Sequence, residues 1–402
     1  MKNFHYKPRF LAPILREALS FSPVVVLTGA RQVGKSTLLL HEEPFSAWKR
    51  YSLDDPETLS LLKRFPKDHL FTERLVIDEV QKAPEILSYI KLAVDEDRSR
   101  RFVLSGSANL LLMKQVAETL AGRAVYLELT PFLWDELREE PYGLPKILSG
   151  KLSPPSSPAV DLRQHLFKGF LPPLTEIESP EATNLWWKGY IATYLERDLR
   201  DLSQISNLAD FHLFMEALST RLASLLNQSD VARDVGLSAA TASRYLNLLE
   251  TSGFIVRLRP FFANLGKRLS KRPKLYFFDC GLARALAGYQ ALEEIPEEFW
   301  GRLFENFVFQ QLHAAKDLLG TELFYFRTLG GKEIEVDFIL KRGRKLYAFE
   351  VKFKERLSAR DLEPLLAIKN LLPQIEACFL VYRGGEIEDL PGGVKAIPWW
   401  LL

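Results

Sequence analysis

Between Ser22 and about Leu129 the chain alternates short apolar runs with stretches of helical periodicity. The runs are PVVVLTG, RYSLDD, RLVIDE, RFVLSGSA and AVYLEL. Runs that are almost continuously Val, Leu and Ile bury both faces of a strand, so the pattern predicts a parallel sheet with helices on either side. A Pro/Ser-rich stretch, Ser149–Asp161, reads as loop or linker. LWWKGYIATYLERDLRDLSQI then begins a helical region rich in charge and aromatics. From Gln228 the pattern shortens into small helices, and after Pro260 it turns basic and strand-like. Near Trp300 a helix precedes two apolar runs, EVDFIL and YAFEVKF, joined by the turn KRGRK. The stretch from ACFLVYRG to KAIPWWLL reads as two more strands around a turn.

Composition narrows this picture. A chain of 402 residues implies two to four domains. The net charge of +2 sets up no global field, so any nucleic-acid surface must be local. Two cysteines in apolar contexts argue against a disulfide scaffold, and six scattered histidines lack the spacing of a zinc site. The N-terminus is interrupted by charges and prolines, unlike a signal peptide, and no apolar run is long enough to span a bilayer. A cytoplasmic protein without a membrane partner is the expectation.

GARQVGKS, Gly29–Ser36, fits G-x-x-x-x-G-K-[ST] between a strand and a helix. Gly29 and Gly34 permit the tight path that turns N–H groups toward phosphate oxygens, and the helix N-terminus favours the anion. Lys35 would reach the β and γ phosphates, Ser36 would ligate Mg²⁺, and Thr37 follows among the nucleotide-binding residues. Asp78 ends the strand RLVID and would hold the magnesium shell; Glu79 would orient or activate the attacking water. One strand, RYSLDD, intervenes between the two phosphate motifs. Ser105 or Ser107, at the end of the fourth strand, would face the γ-phosphate between them. Arg123, just before the fifth strand, could stabilise phosphoryl-transfer charge in its own subunit or a neighbour's, the latter requiring a homo-oligomer; the plainer reading is a surface ion pair.

SDVARDVGLSAATASRYLNLLETSGFIVRLRPF predicts a helix capped by Ser229, a turn at Gly236 and a second helix capped by Ser238. Ala242, Tyr245, Leu246 and Leu249 lie at helical spacing, and FIVRLRPFF and KLYFFD read as hairpin strands. This is the pattern of a winged helix-turn-helix. Thr241, Ser243, Arg244 and Asn247 lie off the apolar face and could meet DNA. From Phe254 to Asp279 there are seven Lys/Arg against one acid. That local excess, with Lys267, Arg268, Lys271 and Arg272 between the strands, suggests phosphate contacts. Docking of a protein is the competing use of such a module.

In the last third, Asp337 and Glu350 each sit inside an apolar run, and Lys352 lies two residues beyond Glu350, hence on the same face. Converging buried carboxylates need a cation, and a divalent metal (Mg²⁺, or Mn²⁺) is the natural choice. Lys352 would then position a water-derived nucleophile at a phosphodiester. Glu305, on a helix whose Phe304, Val308 and Leu312 recur at helical spacing, would complete the metal shell.

Together these motifs resemble the bacterial and archaeal AAA-type ATPases that carry a winged helix and a C-terminal PD-(D/E)XK nuclease-like domain. The carriers are LTGARQVGKSTLL, RLVIDEVQKAPEIL, VLSGSANLLL, LAGRAVYLELTPF, YIATYLERDLRDL, KRLSKRPKLYFFDCGLARAL, LFENFVF and EVDFIL with AFEVK. The resemblance implies ATP at Gly34, Lys35 and Ser36, magnesium at Asp78, water activation at Glu79 and a nuclease centre of Glu305, Asp337, Glu350 and Lys352. Its core is also similar to archaeal Holliday-junction resolvases, which points to branched DNA. The expected fold class is α/β. A P-loop parallel-sheet ATPase domain (1–145) is followed by a helical linker (146–225), a winged helix (226–285) and a PD-(D/E)XK-type α/β domain (286–402). The expected function is ATP-hydrolysing DNA processing coupled to metal-dependent cleavage; the alternative is a nucleotide-controlled DNA- or protein-binding switch with an inactive nuclease fold.

Overall fold

The structure, a computed structural model, describes residues 5–106, 118–152, 160–193, 207–261, 272–328 and 333–402. Ser107, Lys267, Arg268 and Lys271 lie outside them. The chain divides into two compact units, Met1–Phe132 with Thr251–Gly253 and Leu133–Glu250 with Phe254–Leu402.

In the first unit the five apolar runs become β1 (Val24–Thr28), β2 (Lys49–Ser52), β3 (Arg74–Asp78), β4 (Arg101–Ser105) and β5 (Ala124–Glu128). All pair in parallel, in the order β2-β3-β4-β1-β5. Val24, Val26, Leu75, Ile77, Phe102 and Leu104 pack against Leu87, Ile90 and Val94 of the helix Ile86–Glu96. Val25 and Leu27 face the other way and are equally buried, which explains the unbroken apolar runs. Each such side chain contributes roughly 1.5–3 kcal/mol. The chain leaves β1 for the edge at β2 and returns through β3 and β4, so β4 lies between β1 and β3. The carboxyl ends of these three strands therefore meet along one edge, where open α/β sheets bind ligands.

In the second unit a helical region leads to the helices Gln228–Asp234 and Ala239–Thr251, then to the antiparallel pair β6 (Ile255–Leu258) and β7 (Lys274–Phe277). The helices Cys280–Leu286 and Glu297–His313 follow. A six-stranded mixed sheet closes the unit, in the order β12-β13-β11-β10-β9-β8. Its strands are β8 (Glu322–Arg327), β9 (Glu335–Arg342), β10 (Lys345–Lys352), β11 (Ile375–Tyr382), β12 (Glu388–Leu390) and β13 (Val394–Pro398). The tail holds one strand more than its pattern suggested, and β11 pairs with β13 in parallel rather than across a turn. β9 and β10 form the expected hairpin around Gly343, whose φ of 58° suits a tight turn. Leu362, Leu365 and Ile368 of the helix Ala359–Leu371 pack with Ile339, Ala348 and Leu380 of the sheet.

The three domains expected after residue 145 thus fall in one unit, which begins at Leu133. The reason is shared core. Asp279 caps the helix Cys280–Leu286 at Gly281 N (2.7 Å) and also accepts from Phe170 N (2.7 Å). Tyr276 of β7 stacks on Phe309 of the long helix with centroids 4.4 Å apart, and Asn306 Oδ1 accepts from Phe277 N at 2.8 Å. No helix among the described residues is long and apolar enough to cross a membrane.

Candidate nucleotide site and a buried carboxylate cluster

At the carboxyl edge of the first sheet the glycine-rich loop turns sharply. Gly29 has φ 141° and Gly34, before the helix Lys35–His41, has φ 96°. Both values favour glycine. At Gly29 a Cβ would also overlap the carbonyl oxygen of Leu129. Lys35 is buried, and its Nζ donates to Gly29 O and Ala30 O, each at 3.0 Å. Burial pushes its pKa down to about 8, opposed by Glu79 and Asp78.

Asp78 is the hub of the edge. Ser36 Oγ donates to its Oδ2 at 2.5 Å and Ser105 Oγ to its Oδ1 at 2.6 Å. Register explains the meeting, since Leu27 pairs with Ser105 and Ile77 with Leu104. Glu79 has φ 57°, its N–H donates to Asp78 Oδ1 at 3.1 Å, and Gln81 Nε2 donates to its Oε2. Burial, then the neighbouring Asp78, raises the Glu79 carboxyl above its ordinary range. A hydroxyl and a carboxylate already in contact, next to a lysine amine, make a donor set that suits a magnesium–phosphate group.

Arg123 is placed elsewhere. It precedes β5, and its carbonyl accepts from Val24 N at the start of β1, the opposite edge from the glycine-rich loop. Its guanidinium is bidentate to Asp95, at 2.7 and 3.1 Å. The expected role in its own subunit's phosphate site is therefore corrected to that of an ion pair. Thr37 follows Ser36 in the first turn of the helix.

Pattern reading missed Arg9, which is 4% exposed. It donates to Val33 O of the glycine-rich loop at 2.8 Å and to Thr130 O at 2.6 Å, and covers the Phe132 ring at 4.5 Å. One guanidinium thus ties the loop to the segment beyond β5. A single arginine ahead of the first helix carries no periodic signal.

In the second unit, helix and turn form as expected. Ser238 Oγ accepts from Thr241 N at 3.1 Å, Gly236 has φ 67°, and Ala242, Tyr245, Leu246 and Leu249 are buried. The first cap is Asn227, which accepts from Ser229 N at 3.2 Å, rather than Ser229. Arg244 and Asn247 are exposed, and Thr241 and Ser243 are half-buried. Asn247 Oδ1 accepts from Arg257 NH2 at 2.9 Å, and Arg257 is paired with Glu250. Of the seven basic residues in the hairpin, Arg257 is therefore neutralised locally.

Lys274 is not at the surface at all. It is 2% exposed, and its Nζ lies 2.7 Å from Glu335 Oε1, 3.1 Å from Glu305 Oε1 and 3.1 Å from Asp337 Oδ1. Tyr276, two residues on along β7, donates to Glu305 Oε1 at 2.6 Å. Asp337 Oδ2 accepts from Val351 N at 3.0 Å, and Lys352 Nζ donates to Glu350 Oε1 at 2.6 Å. Phe349 pairs with Phe338, so Glu350 stands beside Asp337. Arg327 holds the other oxygen of Glu335 at 2.9 Å.

Burial, reinforced by Asp337, pushes Glu350 up to about 8 and Glu305 up to about 7. Burial works against the Lys274 ammonium, but Glu305, with Tyr276, Asp337 and Glu335, holds it well above its ordinary value. Glu305, Asp337, Glu350 and Lys352 lie together as the sequence suggested, and Glu335, which it did not single out, joins them through Lys274.

The metal shell expected of Glu305, Asp337 and Glu350 is not what they form. Oε2 of Glu350 is buried without a hydrogen-bond partner, which is compatible with a cation nearby. Against that, Glu305 and Asp337 both spend an oxygen on Lys274. Among the described residues no group of three or more His, Cys, Asp or Glu is arranged to hold a metal. The donor set as built fits an ammonium. Lys274 meets the criterion that marks Asp337 and Glu350, a charge embedded in an apolar strand (KLYFF), but the basic excess of the hairpin groups it with the phosphate-contacting lysines.

The parallel sheet in the order β2-β3-β4-β1-β5, with the glycine-rich loop after β1 and Asp78 at the end of β3, defines an AAA-type P-loop ATPase domain. A family model described as an AAA domain matches residues 21–138, and two described as domains of unknown function, DUF8612 and DUF4143, match residues 159–293 and 300–402. The uncharacterized proteins Rv2008c of Mycobacterium tuberculosis and Mb2031c of Mycobacterium bovis are each 31% identical over 396 residues, 97% of this chain and 83% of theirs. The chain belongs to the same family as these two proteins. Among solved structures, the Walker-type ATPase PABY2304 of Pyrococcus abyssi aligns over 68% of this chain and 94% of its own, with 17% identity and a TM-score of 0.45.

Proposed function

We propose that the protein is an ATP-hydrolysing switch that controls binding of DNA. The observation that carries the reading is the set of Ser36, Ser105 and Glu79 joined by hydrogen bonds through Asp78 at one sheet edge, with the Lys35 amine on the carbonyls of Gly29 and Ala30 beside them. Lys35 would exchange the carbonyls of Gly29 and Ala30 for phosphate oxygens. Ser36 and Asp78 would hold Mg²⁺, which, when bound, neutralises charge on the phosphates. Ser105 keeps Asp78 oriented. Glu79, its proton affinity raised by burial, accepts a proton from the attacking water.

The DNA-binding surface in this reading is a winged helix made of the helices Gln228–Asp234 and Ala239–Thr251 with β6 and β7. Arg244 is its exposed cation on the second helix, and Lys267, Arg268, Lys271 and Arg272 fall in sequence between the two strands. The test is fluorescence anisotropy with labelled linear, forked and four-way DNA in nucleotide-free, ADP and ATP conditions. Glu79→Gln would trap the ATP form. An affinity that changes by about tenfold or more between nucleotide states, weakens in Arg244→Ala and falls steeply with salt supports the reading. No DNA binding in any state points to a protein-docking module.

A second reading is metal-dependent DNA cleavage at the carboxylate cluster, which requires the Lys274 ammonium to give way to the ion. It is favoured by the adjacency of Asp337, Glu350 and Lys352 and by the unpartnered Oε2 of Glu350. Mg²⁺- or Mn²⁺-dependent nicking that disappears in Asp337→Ala would establish it.

A further inference from the structure

We infer that the Lys274 ammonium is the resident cation of the carboxylate cluster, occupying the place a divalent ion would need, and that the cluster is a metal site only when this ammonium is removed. The inference concerns the same cluster as the cleavage reading, and it is tested by metal binding without any cleavage.

Three features carry it. First, Lys274 contacts carboxylates from three separate positions, Glu305 on the helix Glu297–His313 and Glu335 and Asp337 on β9, at 2.7–3.1 Å. A single ammonium with three N–H donors matches three acceptor oxygens. Second, Tyr276 donates to the same Glu305 oxygen, so that acceptor is already doubly occupied by protein donors. Third, the geometry is fixed from outside the cluster. Leu225 bridges Lys274 across an isolated β-bridge, β6 pairs with it through Leu258, and the Tyr276 ring is stacked on Phe309. Lys274 is thus seated by backbone pairing and by the ring two residues away rather than reaching in from solvent. Without it, the buried Asp337 and the half-buried Glu305 and Glu335 would be left as adjacent anions, of which Arg327 touches Glu335 alone. Buried carboxylates in that condition take up a cation or a proton.

The experiment uses the full chain, free of nucleotide, with Mn²⁺ as the probe. Binding is read by electron paramagnetic resonance of free Mn²⁺ and by the Mn²⁺-induced change in Tm and circular dichroism. Wild type is expected to show no Mn²⁺ binding that Asp337→Asn removes. Lys274→Met is expected to gain one such site, at least about tenfold tighter than any in wild type, with Mn²⁺ raising its Tm. The double variant Lys274→Met, Asp337→Asn should lose both effects, and Lys274→Arg should bind none. If Lys274→Met is unfolded alone, recovery of its circular dichroism in Mn²⁺ is the supporting result. An Asp337-dependent Mn²⁺ site already present in wild type overturns the inference. So does a Lys274→Met protein that neither binds Mn²⁺ nor is stabilised by it.

Discussion

Single side chains decide more here than their positions in the chain suggest. Arg9 is far from every phosphate motif in sequence, yet its guanidinium holds Val33 O of the glycine-rich loop and Thr130 O together. Hydrogen bonds from a charged donor contribute roughly 1.5–3 kcal/mol each. Arg9→Ala is therefore expected to raise KM for ATP by about tenfold or more while kcat changes less, because a looser loop weakens binding before chemistry. Arg9→Lys should recover part of the loss; steady-state kinetics separate the two terms, and an unchanged KM contradicts the positioning role. Lys35 offers a pH test. Burial pushes its pKa down to about 8, so in the nucleotide-free protein the ammonium is present below that pH and lost above it. Affinity for an ATP analogue should fall as pH rises from about 7 to about 9, and equilibrium titrations flat across that window would contradict a depressed lysine. Lys35, Ser36 and Asp78 were legible because a strand, a glycine turn and a helix occur together at fixed spacing. Arg9 was not, because nothing local marks a side chain whose partners are two carbonyls on a distant segment.

Elements were readable where burial imposes a period. Ala242, Tyr245, Leu246 and Leu249 recur on one face and are all buried in the helix Ala239–Thr251. β9 and β10 are buried without a break from Val336 to Leu340 and from Leu346 to Val351, as their apolar runs required. The end of an element was harder. Asn227 and Ser229 both satisfy the preference for a capping side chain, and the extended backbone at Asn227 (φ −107°, ψ 102°) with its hydrogen bond from Ser229 N assigns the cap to it. Asn227→Ala is accordingly predicted to destabilise the second unit by about 1 kcal/mol, and Ser229→Ala by much less. Urea denaturation of the two variants measures the difference, and equal losses would return the cap to Ser229. The pairing of β11 with β13 in parallel, and the edge strand β12, were not legible, since a run of apolar residues fixes a strand but not its neighbour.

At the scale of the molecule, the first sheet followed from its runs and motifs, whereas the contacts that tie the second unit together did not. Its unity rests on contacts between residues far apart in sequence, such as Lys274 with Asp337 and Asp279 with Phe170. Periodicity carries no record of such pairs, and for the same reason a metal was expected where a lysine stands. What the first unit does rests on Asp78 and its neighbours, and this is best tested by steady-state hydrolysis of ATP with magnesium. Wild type should turn over, Lys35→Ala should lose nucleotide binding, and Glu79→Gln should lose roughly 10²–10⁴-fold in kcat while still binding ATP. Hydrolysis that persists at the wild-type rate in both variants would contradict the account.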